Sequence, residues 1–359
     1  MLPNLNKSIL KSKRWVAPSK RKDYIKIDLN ENYDLFDNKN FLRKFKSFDK
    51  FIFSSYPEYE KLLTLLSKYT KQPTKNIALT NGADQAIGLV LRLFFDKGDK
   101  VVLPSPVFSI YDHVFETMEV NTNHIPYKDK NKYFEFPFEE VMKSLKQAKG
   151  LILCNPNNPL GSIIQEDHLM KLIQATNEIN IPCIIDEAYF EFYGKTSAFL
   201  LNKYKNLIII RTFSKMFGLA GLRLGYILSN EQIIEQILKI RGPWDVNHFA
   251  VFVAEIVLKN KSYFKKKLNT FVKVKQNLYL FFQNNNIPVY HTYTNFLIIK
   301  INKNKQFINK LKQNKILVNS VEGYPHNFGL LNNAVRITIP SKKDLNIIKT
   351  KLHQILKNG

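Results

Sequence analysis

The stretch RTFSKMFGLAGLRLGY (211–226) joins a β-strand to a lysine and then to a glycine-rich turn. Residues 208–210 are all isoleucine, so Lys215 follows the carboxyl end of an apolar strand, where α/β proteins bind their ligands. The glycines of the turn let the backbone approach a ligand closely, and Arg223 adds a cation. An amine partly removed from water can lose its proton and act as a nucleophile. These groups suit a cofactor with a carbonyl and a phosphate, so we predict that Lys215 forms a Schiff base with pyridoxal 5'-phosphate.

Short apolar runs alternate with helical patterns before residue 245, and this alternation predicts the fold class. The runs are NIALT (76–80), KVVLPSP (100–106), GLILCNP (150–156), IPCIIDEAY (181–189), NLIIIRT (206–212) and LGYILS (224–229). Continuous apolar strands separated by helices are typical of an α/β protein with a mostly parallel sheet between two helical layers.

The pattern changes after residue 245. A long helical tract (247–284) precedes three strand patterns and two further helices. We therefore predict three parts: a basic N-terminal arm (1–30), a large cofactor-binding domain (31–245) and a smaller α/β domain (246–359).

Local signals predict the limits of two helices in the large domain. In ADQAIGLVLRLFF (83–95), two apolar stripes predict a helix that is largely buried. Ser229 and Gln232 have the spacing of a capping box, so Ser229 is predicted to cap the next helix. Gly242-Pro243 predicts where that helix ends.

The formal net charge of +24 makes nucleic-acid binding an alternative function. The excess is mostly lysine spread along the chain, without a zinc finger, an RNA-recognition signature or a long basic tail. We expect a solvated basic surface and no nucleic-acid partner. No apolar run approaches the ~20 residues of a membrane span, so no membrane partner is expected. Cys154 and Cys183 lie in strand patterns, which predicts reduced core thiols and a cytoplasmic protein.

Three polar side chains follow other strand patterns. Asp186 ends its strand, and in a pyridoxal site it would keep the ring nitrogen protonated, which makes the ring an electron sink. Tyr189 and Asn158, the latter in NPNNPLG (155–161), are placed to reach the phenolic oxygen of the cofactor. The structural alternatives are a helix cap for Asp186, packing for Tyr189 and a simple turn for the Asn-Pro motif.

Residues 80–84 (TNGAD) end a strand and open a helix, whose first N–H groups would bind a phosphate. Thr212 and Ser214 offer hydroxyls to the same group. Phe108 follows another strand and would stack on a cofactor ring, although it would pack equally well in the core.

Taken in this order, the motifs resemble those of fold-type-I pyridoxal-phosphate enzymes, in particular the histidinol-phosphate aminotransferase family. The similarity extends over nearly the whole chain. It includes LNEN (29–32), SYPEY (55–59), TNGADQ (80–85), PSPVFSIY (104–111), NPNNPLG (155–161), DEAY (186–189), TFSKMFGLAGLRLGY (212–226), RGPWDVN (241–247), TNFLII (294–299) and VRITIP (335–340).

The resemblance implies a role for each matching residue. Lys215, Asp186 and Tyr189 would be catalytic, with Lys215 also moving a proton. Cofactor contacts would come from Gly82, Ala83, Asp84, Phe108, Asn158, Asp186, Tyr189, Thr212, Ser214, Lys215 and Arg223. Tyr56 would reach the cofactor phosphate of a partner subunit, which implies a homodimer with shared active sites.

Substrate contacts are implied for Arg336, Asn30 and Asn319. Arg336 would bind a carboxylate, which its planar guanidinium matches. The family usually has an arginine where this chain has Asn319, so a contact to a substrate phosphate is missing. The basic residues of the arm would be one replacement, and a solvated tail is the alternative: Lys11, Lys13, Arg14, Lys20 and Arg21.

Two enzyme functions follow from the resemblance. The first is an aminotransferase that moves an amino group from glutamate or a similar donor to a small phosphorylated carbonyl compound. The second is a decarboxylase of serine or threonine phosphate, because Pro243-Trp244 is more similar to the threonine-phosphate decarboxylase branch. No metal is expected in either case.

Overall fold

The computed structural model describes residues 7–12, 16, 18–32 and 42–357. Lys13 and Arg14 of the predicted arm lie outside these residues. Within the described part, none of the helices combines the length and the apolar character needed to cross a bilayer. Cys154 and Cys183 are both buried and neither forms a disulfide, as expected for core thiols.

Fifteen strands are described, most of them short. They are β1 (Ile25–Lys26), β2 (Ile77–Thr80), β3 (Lys100–Ser105), β4 (Asn121–Pro126), β5 (Lys128–Asp129), β6 (Phe134–Glu135), β7 (Gly150–Cys154), β8 (Cys183–Asp186), β9 (Leu207–Thr212), β10 (Gly225–Leu228), β11 (Val289–Tyr290), β12 (Phe296–Lys300), β13 (Ile316–Leu317), β14 (Asn319–Ser320) and β15 (Ala334–Thr338).

The described helices surround two main sheets. The α-helices are Lys7–Lys11, Glu60–Thr70, Gly82–Phe94, Ile110–Met118, Phe138–Ser144, Glu166–Glu178, Phe190–Tyr193, Glu231–Ile240, His248–Lys259, Lys261–Asn284, Asn304–Gln313 and Leu345–Lys357. Short 3₁₀ helices cover Lys44–Ser47, Lys50–Phe53, Thr74–Asn76, Leu145–Gln147, Ala198–Leu200 and Ala220–Leu222. The long tract predicted over 247–284 is thus two helices that meet at Asn260.

The large sheet has seven strands in the order β2-β10-β9-β8-β7-β3-β4. All neighbours are parallel except β10, which runs antiparallel to both β2 and β9. The central strands are buried on both faces, because apolar clusters of helices cover each side. This confirms the predicted α/β fold with a mostly parallel sheet. The carboxyl ends of β7, β8 and β9 lie side by side at one edge of the sheet.

A smaller antiparallel sheet with the order β11-β12-β15-β14 lies in the C-terminal part. Its own apolar core includes residues of the helices 261–284, 304–313 and 345–357. The N-terminal segment contributes to this unit, since Ile25 pairs with Ile316 and Ile27 is buried in the same core.

The capping box predicted at Ser229 and Gln232 is wrong by one residue. The N-cap is Asn230, whose side chain accepts a hydrogen bond from the N–H of Ile233 at 3.1 Å. The Ser229 hydroxyl instead donates to the Leu207 carbonyl oxygen at 2.8 Å, which ties the end of β10 to β9. The Ser229 hydroxyl therefore bonds to the neighbouring strand, whereas the local pattern predicted that it caps the helix.

Gly225 is the position in β10 where a side chain has least room. A Cβ there would lie 2.7 Å from the Gly82 carbonyl carbon and 2.9 Å from the Arg211 oxygen, both backbone atoms. We expect Gly225→Ala to destabilise the protein by about 1–3 kcal/mol, because the backbone must move. Gly88→Ala is the control: nothing lies within 4 Å there. In a helix interior it should stabilise by about 0.5–1 kcal/mol. Urea unfolding of both variants measures this, and equal effects would contradict it.

Candidate active site

A cavity of about 650 Å³ lies at the carboxyl ends of the large sheet. Residues from the N-terminal segment, the large sheet and the C-terminal sheet all line it. The predicted site residues that line it are Asn30, Ala83, Asp84, Phe108, Asn158, Asp186, Tyr189, Thr212, Ser214, Lys215, Arg223, Asn319 and Arg336. Gly82 begins the helix at the cavity wall, whereas Tyr56 lies outside the lining.

Lys215 occupies the loop after β9 and is partly buried. Its Nζ donates to the Leu29 carbonyl oxygen at 3.4 Å and lies 5.7 Å from the centre of the Tyr189 ring. Burial lowers the pKa of Lys215 to about 8, and the nearby positive charge of Arg336 acts in the same direction. Near neutral pH, a useful fraction of this amine is therefore unprotonated and nucleophilic.

Asp186 is buried at the end of β8. One carboxylate oxygen accepts from the Ala188 N–H at 3.0 Å, and the other accepts from the Tyr111 hydroxyl at 3.1 Å. Burial raises the pKa of Asp186 to about 6, so the group is mainly ionised at neutral pH. Tyr111 orients this carboxylate, and we did not predict it. Its position at the end of the PSPVFSIY motif was the available signal.

Arg336 enters the cavity from the C-terminal sheet and is almost fully buried. Its Nη1 donates to Asn158 Oδ1 at 2.7 Å and to the Tyr324 hydroxyl at 3.3 Å. Its Nη2 donates to the Asp28 carbonyl oxygen at 3.1 Å. Among the described residues, Arg336 Nε is buried without a hydrogen-bond partner. Arg336 is thus held in place at the cavity wall by side chains and backbone from three parts of the chain.

Asn30 connects the N-terminal segment to the cavity. Its side chain donates to the Tyr189 hydroxyl at 2.9 Å, and its backbone N–H donates to Thr338 Oγ1 at 3.0 Å. Asn295 donates to the Asn30 carbonyl oxygen at 2.9 Å. Asn30 has a φ of 56°, in the left-handed region that asparagine tolerates better than most residues. These bonds fix the Tyr189 hydroxyl from the side opposite the sheet.

Hydroxyls and a guanidinium surround the start of the helix Gly82–Phe94. The Thr212 hydroxyl donates to Ser214 Oγ at 2.9 Å, and Arg223 Nη2 contacts Asp84 Oδ2 at 2.9 Å. Gly82 has a φ of +76°, which favours glycine, and a Cβ there would lie 2.6 Å from Arg223 Nη2, so the guanidinium packs directly against the helix start. Helix N–H groups, hydroxyls and a cation are the donor set that a phosphate requires.

A buried ion pair lies behind the cavity. Arg211 Nη2 is 2.8 Å from Glu187 Oε2, and both side chains are only 2% exposed. The Glu187 carboxylate also accepts from the Ser197 N–H at 2.6 Å and the Thr196 hydroxyl at 2.7 Å. The Arg211 guanidinium lies 3.8 Å from the centre of the Phe190 ring. We did not predict this pair; the signal was a charged residue at the end of each of two apolar strands.

Two predicted residues lie at the edges of the site. Tyr56 is 70% exposed, and its ring stacks on Trp244 with 4.2 Å between centroids. Asn319 lines the cavity and pairs with Arg336 across β14 and β15. The arm cation Arg21 already binds Asp28 and Glu31, each at 2.5 Å. It is therefore a poor replacement for an arginine at 319.

Comparison with known proteins identifies the class of enzyme. The model of the family "Aminotransferase class I and II" matches residues 24–351, so the chain belongs to this family of pyridoxal-phosphate-dependent aminotransferases. Within it, the chain is 34% identical to the histidinol-phosphate aminotransferase of Caldanaerobacter subterraneus subsp. tengcongensis, over 84% of this chain and 83% of that protein.

Solved structures agree with this placement. The histidinol-phosphate aminotransferase from Clostridium acetobutylicum superposes with a TM-score of 0.83 and 25% identity, covering 93% of this chain and all of that one. The L-threonine-O-3-phosphate decarboxylase from Porphyromonas gingivalis gives 0.77 at 20% identity, covering 93% and 99%, and shows a shared fold alone. The predicted family, enzyme class and cofactor are therefore confirmed.

The donor set of the cavity fits pyridoxal phosphate. An amine for the carbonyl, a carboxylate for the ring nitrogen and backbone donors at a helix start for the phosphate occur in one cavity at Lys215, Asp186 and Ala83. Arg336 lines the same cavity. The role of each individual residue stays a prediction.

We expect Lys215→Ala to abolish covalent attachment of the cofactor. The measurement is the visible absorption of the bound cofactor, together with borohydride reduction, which labels the chain at the linked amine. Lys275→Ala is the matched control. Burial also lowers the pKa of Lys275, to about 7, but its Nζ donates to the carbonyl oxygens of Thr292 and Thr294 at 2.6 and 2.8 Å. Labelling that survives in K215A would contradict the prediction.

The rate of cofactor capture by the apoprotein should depend on pH. Because the pKa of Lys215 is lowered, the reactive free amine should increase as the pH rises through about 8. Arg336→Met should move this midpoint upward, since it removes one of the charges that lower the pKa. Stopped-flow absorbance of apoprotein mixed with pyridoxal phosphate measures the profile. A midpoint near the ordinary lysine value of 10.5 would count against it.

Proposed function

We propose that this aminotransferase takes an amino group from glutamate, or a similar donor, and transfers it to a small phosphorylated carbonyl compound. The observation that carries the proposal is the guanidinium of Arg336, held by Asn158 and Asp28 in the same cavity as Lys215. Similarity to histidinol-phosphate aminotransferases, which are named for a phosphorylated compound, supports a phosphorylated acceptor.

We propose a role toward the cofactor for each of the residues that line the sheet side of the cavity. When bound, the cofactor supplies an electron sink that labilises bonds to the amino acid α-carbon. Lys215 forms the covalent link and then moves the α-proton. Asp186 holds the ring nitrogen protonated, and Tyr111 holds Asp186. The proposed remaining contacts are Phe108 against the ring, Asn158 and Tyr189 at the phenolic oxygen, and Gly82, Ala83, Asp84, Thr212, Ser214 and Arg223 around the phosphate.

We propose that the substrate is recognised by residues of the C-terminal sheet and the N-terminal segment. Arg336 lines the cavity, and its planar guanidinium matches the carboxylate of an amino donor. Asn30 and Asn319 line the same side and offer neutral hydrogen bonds. Binding of the carboxylate there orients the α-carbon toward Lys215, so the Lys215 amine can remove the proton.

The alternative is decarboxylation of serine or threonine phosphate. The sequence Pro243-Trp244, which is more similar to the threonine-phosphate decarboxylase branch, favours considering it. Which bond to the α-carbon breaks depends on which one lies perpendicular to the cofactor ring. That orientation is set by the positions of the cations that bind the carboxylate and the phosphate.

Glutamate half-reaction tests the proposal. Mixed with glutamate and no acceptor, the holoenzyme should lose its visible absorption and release 2-oxoglutarate equivalent to the cofactor, because the amino group stays on the cofactor and water supplies the new oxygen. Arg336→Gln should need far more glutamate for the same change. No half-reaction with any amino donor would overturn the proposal, and carbon dioxide release from serine or threonine phosphate would establish the alternative.

Asn319 gives a prediction on the acceptor. We expect Asn319→Arg to raise kcat/KM for phosphorylated acceptors by about tenfold or more, since a charge-assisted bond to phosphate contributes at least ~1.5 kcal/mol. Asn319→Gln keeps a neutral amide on a side chain that is one methylene longer. This variant should change kcat/KM little. Steady-state kinetics with matched phosphorylated and unphosphorylated acceptors measures this. An equal gain for both acceptors would contradict a phosphate contact.

We also propose a homodimer with shared active sites, in which Tyr56 reaches the cofactor phosphate of the partner subunit. An exposed aromatic surface next to Tyr56 supports this assembly. Its rings contact one another in edge and stacked pairs: Phe48, Phe53, Phe249 and Phe252, with Trp244 stacked on Tyr56. Exposed apolar patches of this kind are typical of protein interfaces. The two buried thiols support a cytoplasmic location.

A further inference from the structure

A second cluster of ligand-type side chains lies beside the cavity mouth, defined here by the lining residues Ile110 and Pro325, which are close in sequence to two of its members. It consists of Asp112, His124 and His326, and their potential ligand atoms all lie within 4.8 Å of one another. Asp112 belongs to the helix 110–118, and His124 belongs to β4. His326 comes from the segment between β14 and β15, so the cluster joins the large domain to the C-terminal part of the chain.

Asp112 has an unsatisfied carboxylate oxygen. Its Oδ1 is buried and has no hydrogen-bond partner among the described residues. His124 Nε2 lies 3.7 Å from this oxygen, which is beyond hydrogen-bonding distance. A buried acceptor without a partner costs stability, so the position favours a cation between the two groups.

The separations fit a transition-metal ion. Two ligands that are each about 2.0–2.1 Å from a tetrahedral Zn²⁺ lie roughly 3.4 Å apart. The 3.7 Å between Asp112 Oδ1 and His124 Nε2 is close to this value. His124 Nε2 now has the Thr122 hydroxyl as a hydrogen-bond partner at 2.7 Å, so an ion must displace that contact, whereas Nδ1 keeps its contact to the Ser105 hydroxyl at 2.8 Å. Imidazole and carboxylate are ligands that Zn²⁺ accepts, and two histidines with one aspartate leave a fourth position for water.

His326 supplies the third ligand after a small movement. Its ring now stacks on His124, with 3.5 Å between centroids and 13° between planes. Parallel rings do not direct their nitrogen lone pairs to one point, so His326 must tilt out of the stack. Its exposed position leaves room for this rotation.

We propose that Asp112, His124 and His326 form a binding site for a divalent transition-metal ion, with Zn²⁺ as the best match. The ion links the two sides of the cavity mouth. On one side, the residues preceding Asp112 line the cavity at Phe108 and Ile110. On the other side, Tyr324 lies two residues before His326 and contacts Arg336. The bound ion thus fixes the segment that supports the substrate guanidinium, and this inference does not depend on which substrate is used.

Equilibrium dialysis of the holoenzyme against Zn²⁺, followed by metal analysis, tests the proposal. We expect one Zn²⁺ per chain in the wild type and at least tenfold weaker binding in Asp112→Asn and His326→Asn. His326 has a φ of 48°, which asparagine tolerates, so H326N keeps the backbone. Both variants are prepared with the cofactor bound. Any Zn²⁺ that binds to the cofactor phosphate therefore contributes equally in every sample.

The chain offers a matched control at His168 and Asp167. Their Nε2 and Oδ2 atoms are 3.8 Å apart, close to the separation in the proposed site, but no third ligand accompanies them in the part of the chain that the structure describes. His168→Asn should therefore bind Zn²⁺ like the wild type. Zn²⁺ should also raise the thermal midpoint of the wild type and H168N but not that of H326N. Absent Zn²⁺ binding in the wild type, or equal binding in H326N, would overturn the proposal.

Discussion

The buried ion pair between Arg211 and Glu187 fixes the part of the sheet on which the active site is built. Glu187 directly follows Asp186 in the chain, and Arg211 directly precedes Thr212. Side chains alternate between the faces of a strand, so the pair lies on one face while Asp186 and Thr212 face the cavity. Two charges removed from water gain little net stability even when well paired. Their value here is positional, because they lock the ends of β8 and β9, and the loop with Lys215 starts from β9.

The N-terminal segment and the C-terminal sheet complete the cavity wall that the loops of the large sheet form in part. Leu29 accepts a hydrogen bond from Lys215, and Asn30 holds the Tyr189 hydroxyl. Arg336 then connects Asp28 to Asn158, so it crosses from the small sheet to the Asn-Pro loop. The cavity wall therefore combines residues from three distant parts of the chain: the N-terminal segment, the loops of the large sheet and the C-terminal sheet. In the proposed function, the Lys215 region provides the covalent chemistry and the Arg336 side selects the substrate.

Local sequence patterns predicted the elements well where burial is continuous, as in the isoleucines of β9 and the start of the helix at Gly82. They also indicated that Asn158, Asp186 and Lys215 share one site, because the carboxyl ends of parallel strands share one edge. Asn30, Asn319 and Arg336 were predicted only from the family resemblance. The pattern failed at Ser229, where a contact to β9 outweighed the local capping signal. It missed β4, whose NTNHIP sequence is polar because the strand lies at the sheet edge. Tyr111 and the Arg211–Glu187 pair depend on contacts between distant residues, which periodicity does not contain.

The hydrogen bonds of Asn30 have a consequence for how the protein is made. Asn30 binds Thr338, 308 residues later in the chain, and Asn295. During synthesis from the N-terminus, the bonds of Asn30 to the C-terminal sheet cannot form until β15, the last described strand, has left the ribosome. Contacts this distant in sequence form slowly, since a long loop must close first. The large sheet can be complete well before the cavity exists, so stable cofactor capture belongs to the finished chain and not to the growing one.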